Sequence, residues 1–270
     1  MPLFTPKRVL ARVDRLGLSF GRHGIDPYGI SRVDLARMFA ALGVFYRHYF
    51  RVTTHGLENV PASGRAMLVG NHSGGYAIDG AMLLAAMFFA AEPPRLAQGM
   101  AEKFINRLPF ASQWTSRIGQ LTGLPEHAIR LLEDDRLLMV FPEGARGTAK
   151  LYGDRNTLVG FGTGFLRLAL ATGTPILPVA ILGGGEALPT VLNLYRLGHL
   201  VGMPYIPITP YIVPIPRPVA IDITVSEAMH FEGTGTEDDA VIASYVDQVK
   251  DRIAELIDDG FSRRRGGDSR

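Results

Sequence analysis

Short apolar runs, each followed by a polar and often glycine-containing loop, recur along this chain. Runs of this length predict buried strands, and they fall at residues 52–56, 66–70, 95–98, 137–141, 175–182 and 219–225. Apolar residues at helical spacing predict intervening helices, at residues 81–91, 125–134, 160–172, 187–200 and 237–259. Because strands alternate with helices, we expect a single α/β domain with a mostly parallel central sheet flanked by helices.

Two further helices are predicted ahead of the first strand. Residues 1–22 place apolar residues on one face and arginines on the other, and residues 31–50 form a broadly apolar helix with Ser31 as its N-cap. A basic amphipathic helix suits an anionic membrane surface, and packing against the rest of the domain is the alternative. The predicted divisions are N-terminal amphipathic helices for membrane contact at residues 1–50, the main domain at residues 51–260 and a disordered basic tail at residues 261–270.

Composition excludes several classes of protein. The 270 residues include no cysteine, so disulfides, thiolate nucleophiles and zinc–thiolate sites are impossible. A net charge of +2, without alternating basic and aromatic residues, argues against nucleic acid as a partner. Glycines and prolines interrupt both long uncharged stretches, at residues 168–185 and 197–216, so neither predicts a membrane-spanning helix. No spacing typical of metal ligands occurs, so we expect no metal site.

The loop after the strand at residues 66–70 has the sequence Asn-His-Ser-Gly-Gly. It carries His72, and Asp79 follows seven positions later. A neutral imidazole accepts a proton near pH 7, and a neighbouring carboxylate fixes its tautomer and stabilises the imidazolium. His72 and Asp79 therefore predict an oriented general base, with Asp79 as a simple helix cap as the alternative.

A second polar loop, Pro-Glu-Gly-Ala-Arg-Gly at residues 142–147, follows the strand at residues 137–141. Ligands of open α/β sheets bind outside the carboxyl ends of the strands. We therefore expect this loop and the histidine loop to meet at one edge of the sheet.

These motifs in this order, Asn-His-x-x-x-x-x-x-Asp and then Phe-Pro-Glu-Gly-x-Arg, resemble the glycerolipid acyltransferase family, which includes the lysophosphatidate and glycerol-3-phosphate acyltransferases. Residues 102–107 and 174–179 resemble two further blocks of that family, and residues 184–189 resemble a bacterial branch. Six residues separate His72 from Asp79, where most members have four. A bulge at Gly74 and Gly75 would absorb the difference, because glycine tolerates the backbone angles required.

The resemblance implies acyl transfer from a thioester to an alcohol, with no cofactor and with acyl-CoA or acyl carrier protein as co-substrate. His72 and Asp79 would be catalytic. The tetrahedral oxyanion would be stabilised by backbone N–H groups of Ser73, Gly74 and Gly75. Substrate binding would fall to Glu143, Gly144, Arg146, Lys103 and Arg107.

Several of these roles have alternatives. Arg146 suits bidentate phosphate contacts, and an ion pair with Glu143 or Asp154 is the other possibility. Glu143 either holds the acceptor hydroxyl or braces the loop. For Lys103 and Arg107, a solvated helix face is the alternative to phosphate binding.

The sequence thus predicts a peripheral or monotopic enzyme at the cytoplasmic face of the membrane that acylates a hydroxyl of a glycerolipid such as lysophosphatidate. Apolar residues 81–89 and 197–216 would line a tunnel for the acyl chain. One alternative is a non-catalytic lipid-binding protein of the same fold, which the longer His-to-Asp spacing favours. The other is a thioesterase or esterase that uses the same dyad with water as acceptor.

Overall fold

The computed structural model describes residues 6–75, 78–101, 111–122, 124–200, 202–211 and 215–267. Within these ranges the strands are β1 (Thr53–His55), β2 (Ala66–Gly70), β3 (Ala97–Ala101), β4 (Leu121–Thr122), β5 (Leu137–Val140), β6 (Ile176–Leu182), β7 (Leu192–Leu194), β8 (Ile206–Ile208) and β9 (Asp222–Val225). Seven of them form one sheet in the order β1-β9-β6-β2-β5-β3-β4, and β7 pairs with β8 in a separate antiparallel hairpin. Neighbours in the large sheet are parallel except β6 and β9. The predicted α/β fold with a mostly parallel sheet is confirmed.

The helices of the described residues are α1 (Pro6–Val13), α2 (Arg32–Val44), α3 (Ile78–Phe89), α4 (Ala111–Arg117), α5 (Pro125–Glu133), α6 (Ala145–Thr148), α7 (Gly164–Thr172), α8 (Gly184–Ala187), α9 (Tyr195–Leu200) and α10 (Asp239–Gly267). A π-helical turn at Phe45–Tyr49 extends α2, and 3₁₀ turns lie at Leu57–Asn59 and Tyr152–Asp154. No helix in the described ranges combines the length and the apolar character needed to cross a bilayer.

Both faces of the sheet are covered because the central strands are apolar on both sides. In β2, Ala66 and Leu68 pack into a cluster with α1, α2 and α3, whereas Met67 and Val69 pack with α5, α7 and α10. Alternate residues of a strand point to opposite faces, so an uninterrupted apolar run is what a doubly covered parallel strand requires.

The first helix is shorter than predicted and packs on the domain. It ends at Val13, and both Val9 and Val13 are buried. Arg12, assigned to the polar face, instead donates hydrogen bonds to the Phe88 and Ala91 carbonyls at the end of α3. An arginine in this place satisfies carbonyls that lack helical partners. Burial lowers the pKa of Arg12. Ser31 is the N-cap of α2 as predicted, since its hydroxyl accepts from the Asp34 N–H.

Two predictions about secondary structure are wrong. Residues 187–200 do not form one helix, because they hold the end of α8, strand β7 and then α9. The basic tail is helical up to Gly267 as the end of α10. Its arginines are held by polar partners, because Arg263 donates to the Thr224 hydroxyl at 2.6 Å and Arg264 pairs with the Asp222 carboxylate.

Candidate active site

Three neighbouring strands deliver the residues of the site to one edge of the sheet. Strand β2 lies between β5 and β6 and is parallel to both, so the loops after all three strands meet at their carboxyl ends. Asn71 continues β2 by side-chain pairing: its Nδ2 donates to the Ile181 carbonyl at 2.9 Å and its Oδ1 accepts from the Ile181 N–H at 2.7 Å. This pairing fixes the chain next to His72. The predicted meeting of the two polar loops is confirmed.

His72 and Asp79 are hydrogen-bonded. The distance between His72 Nδ1 and Asp79 Oδ2 is 2.9 Å, and Asp79 is fully buried at 0% exposure. The carboxylate also accepts the N–H groups of Ser73 at 2.7 Å and Gly80 at 2.8 Å, so it serves the first turn of α3 as well as the imidazole. The ring stacks on Phe141, with centroids 4.4 Å apart. Among the described residues, none hydrogen-bonds to the other ring nitrogen, Nε2.

A glycine bulge accommodates the long spacing between the histidine and the aspartate. Gly74 and Gly75 have φ angles of 83° and 66°, in the left-handed region that favours glycine. Space matters too, because a Cβ on Gly74 would lie 2.3 Å from the Gly184 carbonyl oxygen. The predicted bulge is confirmed, and it leaves the contact between His72 and Asp79 intact. Residues 76–77 lie outside the described ranges.

The predicted oxyanion donors require a correction. The Ser73 N–H donates to Asp79, and the Gly75 N–H donates to the Thr148 carbonyl at 3.2 Å. Both are therefore already used in holding the loop. Of the three predicted groups, the Gly74 N–H is the one with no partner among the described residues.

Glu143 braces the histidine loop. It is 1% exposed, and its Oε1 accepts the His72 N–H at 2.8 Å. Its Oε2 accepts the Val159 N–H at 2.9 Å and Lys150 Nζ at 2.8 Å. Lys150 is itself buried and also donates to the Thr157 carbonyl. With its carboxylate engaged on both oxygens, Glu143 fits the bracing alternative rather than the predicted contact with substrate.

The remaining predicted binding residues divide three ways. Gly144 is the N-cap of α6, and its N–H and carbonyl are both used inside the turn, so it shapes the loop. Arg146 is exposed and donates to the Gly160 carbonyl at 2.8 Å. Among the described residues no carboxylate forms an ion pair with it, so the alternative pairs with Glu143 and Asp154 are not formed. Lys103 and Arg107 lie in the stretch 102–110, outside the described residues.

The sequence profile of the acyltransferase family matches residues 51–182, which include both loops. An uncharacterized protein of Mycobacterium tuberculosis is 32% identical over 249 residues, covering 88% of this chain and 69% of that protein. This chain belongs to the acyltransferase family.

This chain is also similar in sequence to a human enzyme and in structure to a bacterial one. A human protein named as a DGAT1/2-independent enzyme synthesizing storage lipids is 27% identical over 125 residues, covering 46% of this chain and 38% of that protein. The 1-acyl-sn-glycerophosphate acyltransferase PlsC of Thermotoga maritima superposes with a TM-score of 0.59 at 18% identity, covering 84% of this chain and 79% of PlsC. The likeness to PlsC shows the shared fold.

In this acyltransferase, sequence reasoning missed a cap over the histidine loop. We define the cap as residues 188–200 and 202–211, which contain β7, α9 and β8. The Tyr205 hydroxyl bonds to the Thr148 hydroxyl and reaches the Gly75 carbonyl at 3.5 Å. The Asn193 amide donates to the Ala149 carbonyl at 2.6 Å. Tyr205, Thr148 and Lys150 gave no sequence signal, because their importance depends on a fold in which the cap returns to the loops.

The predicted tunnel along α3 is not formed by that helix. Residues 82–88 are buried, and Phe88 stacks on Phe39 of α2 with centroids 3.6 Å apart. These side chains fill the core, since a broadly apolar helix packed between a sheet and a second helix has no free face. The other predicted segment, residues 197–216, contains exposed apolar side chains, including Leu200 at 81% exposure.

Proposed function

We propose that this protein is a peripheral membrane O-acyltransferase that moves a fatty acyl group from acyl-CoA, or from acyl carrier protein, to a hydroxyl of a glycerolipid such as lysophosphatidate. The observation that carries the proposal is the 2.9 Å contact between His72 Nδ1 and the buried Asp79 carboxylate. It lies at the carboxyl ends of parallel strands, where open α/β sheets bind ligands.

The chemistry follows from which ring nitrogen is engaged. When Nδ1–H donates to Asp79, the lone pair of Nε2 is available to accept the proton of the acceptor hydroxyl. The hydroxyl oxygen then attacks the thioester carbonyl carbon, and the tetrahedral intermediate collapses with cleavage of the carbon–sulfur bond. The imidazolium returns its proton to the departing thiolate, so that an ester and a free thiol are the products. Asp79 stabilises the transient imidazolium throughout.

The other loop groups support this chemistry in defined ways. Glu143 holds the backbone of His72 and so keeps the imidazole in place against Phe141. The Gly74 N–H is the proposed oxyanion donor, because it alone of the three predicted groups has no partner among the described residues. Arg146 is proposed to bind phosphate, since its exposed guanidinium has only a carbonyl as a partner in the described chain.

One experiment separates this proposal from its two alternatives. Purified protein is incubated with acyl-CoA and a mixed panel of lysophosphatidate, monoacylglycerol and diacylglycerol, and the lipids are identified by mass spectrometry. We expect a newly acylated lipid with the wild type and none with His72→Ala, while His230→Ala, at an exposed histidine outside the site, behaves as wild type. Free fatty acid without an acylated lipid indicates a thioesterase, and no product at all indicates a lipid-binding protein.

The sequence feature that favours a passive lipid-binding protein is the long spacing between His72 and Asp79. The bulge at Gly74 and Gly75 removes the force of that argument, because the hydrogen bond is made despite the two extra residues. The catalytic interpretation is therefore the one that the geometry favours.

A further inference from the structure

The cap carries large apolar side chains on its solvent side. Val191, Leu192, Tyr195, Leu197 and Leu200 are each between 46% and 81% exposed. Single exposed apolar residues are ordinary on a soluble protein, but a dense group of them marks an interaction surface. These five fall within ten consecutive residues, from Val191 just before β7 to Leu200 at the end of α9. We call this group the cap face.

The opposite side of the cap is tied to the catalytic loop. Tyr205 is 4% exposed and bonds to the Thr148 hydroxyl and the Gly75 carbonyl. A Cβ on Gly75 would approach the Leu188 side chain to 2.4 Å and Pro207 to 3.6 Å, so the cap rests directly on the glycine bulge. Anything bound at the cap face is therefore held close to the site that contains His72.

A second exposed apolar segment is linked to the end of the cap through residues 215–216, since the hydroxyl of Tyr211, in the cap, donates to the Ile215 carbonyl at 2.9 Å. Val44 and Phe45, at the end of α2, are 53% and 45% exposed. The Phe45 ring contacts Tyr49, whose hydroxyl donates to the Pro216 carbonyl at 2.6 Å. Beside Pro216, Ile215 is 62% exposed. The end of α2 and the end of the cap thus meet at Ile215 and Pro216, although about 160 residues separate Tyr49 from Tyr211 along the chain.

The charged residues of both segments are basic. Residues 35–57 and 187–220 contain no aspartate or glutamate. Exposed arginines do occur there, at Arg47, Arg51, Arg196 and Arg217. In the described chain, none of these four forms an ion pair. Apolar side chains beside unpaired cations, with tyrosines among them, match the interface of an anionic bilayer, where aromatic rings lie at headgroup level and arginines meet phosphates.

We propose that the cap face, together with the exposed end of α2, docks on a phospholipid bilayer that contains anionic headgroups. The proposal rests on the proposed function, because a lipid acceptor leaving the bilayer would then reach the histidine loop under the cap. It differs from a role for α1, whose Val9 and Val13 are buried against the domain.

The test compares vesicle binding by two matched double variants. Val191→Asp with Leu192→Asp changes the cap face, and Leu124→Asp with Val241→Asp changes exposed apolar residues of similar character on other elements. Binding is measured by co-sedimentation with vesicles of phosphatidylcholine and phosphatidylglycerol in equal parts. We expect the cap variant to bind at least about tenfold more weakly than the wild type, since it loses apolar contact and gains repulsion. The control pair should bind as the wild type does.

A second variant, Arg196→Gln with Arg217→Gln, tests the electrostatic part. It should lose the preference for phosphatidylglycerol over pure phosphatidylcholine vesicles. Equal vesicle binding by the wild type and the cap variant overturns the proposal, and so does absence of wild-type binding. A change in oligomeric state of the cap variant, with unchanged vesicle binding, would assign the face to a second copy of the chain and also overturn it.

Turnover of short-chain acyl-CoA and a water-soluble acceptor separates this proposal from the function on which it rests. The cap variant should retain that turnover, since Val191 and Leu192 lie outside the histidine loop and outside residues 197–216. Vesicle binding that follows the expected pattern, in a protein without any such turnover, would sustain the surface and refute the enzyme.

Discussion

Close packing around Gly147 predicts a large effect from one added methyl group. Gly147 lies in α6, where a Cβ would meet His72 Cβ at 2.8 Å, Glu143 Cβ at 2.8 Å and the His72 carbonyl oxygen at 2.9 Å. All three are backbone or first side-chain atoms, so they cannot move aside by rotamer change. Gly147→Ala therefore forces α6 and the histidine loop apart.

The size of the displacement can be read from these distances. Ordinary Cβ contacts begin near 3.4 Å, so His72 and α6 must separate by about 0.6 Å to relieve the contacts at 2.8 Å. Overpacking of this kind costs about 1–3 kcal/mol, which lowers the melting temperature by roughly 2–10 °C in a domain of this size. Because a misplacement of about 1 Å can cost about a hundredfold in rate, we expect kcat to fall by about tenfold to a hundredfold.

The assay pairs acyl transfer with thermal unfolding, and Gly153→Ala is the control. A Cβ on Gly153 meets nothing within 4 Å, and its φ angle is not in the left-handed region. The control should match the wild type in kcat and melting temperature. Wild-type kcat in Gly147→Ala would show that the site tolerates this displacement, and the argument from the placement of His72 would be refuted.

Three further predictions concern charged and titrating groups. Lys150→Met leaves the buried Glu143 carboxylate without its cation, so urea denaturation should show a loss of about 3–5 kcal/mol, partly recovered when Glu143→Gln is added. Asp79→Asn removes the carboxylate that fixes the His72 tautomer and stabilises the imidazolium, and kcat should fall by about 10²–10⁴ while the fold persists. Burial, followed by a hydrogen bond to a carboxylate, raises the pKa of Tyr28 to about 12 from 10.0. Its stabilising contribution is present below pH 10 and is lost as the pH rises through 12, so the melting temperature of Tyr28→Phe should fall less steeply across that window.

Each of these predictions has a result that contradicts it. Equal unfolding free energies for the wild type and Lys150→Met would show that the buried pair contributes nothing to the loop. Undiminished turnover in Asp79→Asn would remove the aspartate from the mechanism and return it to the role of a helix cap. If the melting temperatures of Tyr28→Phe and the wild type fall equally steeply with pH above pH 10, the phenol titrates at its ordinary pKa in the folded protein.

Much of the site could be predicted because it depends on local sequence and on a general rule of topology. Apolar runs fix β2 and β5, and parallel neighbours place the loops that follow them at one edge of the sheet. The pair of glycines after Ser73 signalled the bulge, since few other residues adopt positive φ angles.

What could not be predicted is how hydrogen-bonding groups are shared between segments distant in sequence. The N–H groups of Ser73 and Gly75 looked available, yet a carboxylate and a helix carbonyl already occupy them. The cap was not predicted because the apolar residues of 187–200 occur at both helical and strand spacing. Pairing with residues 206–208 is what makes residues 192–194 a strand. In such a segment, tertiary contacts outweigh the local preference for helix or strand.

The order of the strands affects how the chain folds during its synthesis. Among the described strands, β1 pairs with β9 alone, and β9 also closes the free edge of β6. During synthesis both polar loops emerge long before Val225, so a ribosome-bound intermediate holds a nearly complete site beside two unpaired strand edges. Such edges favour aggregation, so the pairing of β9 with both strands protects two edges at once.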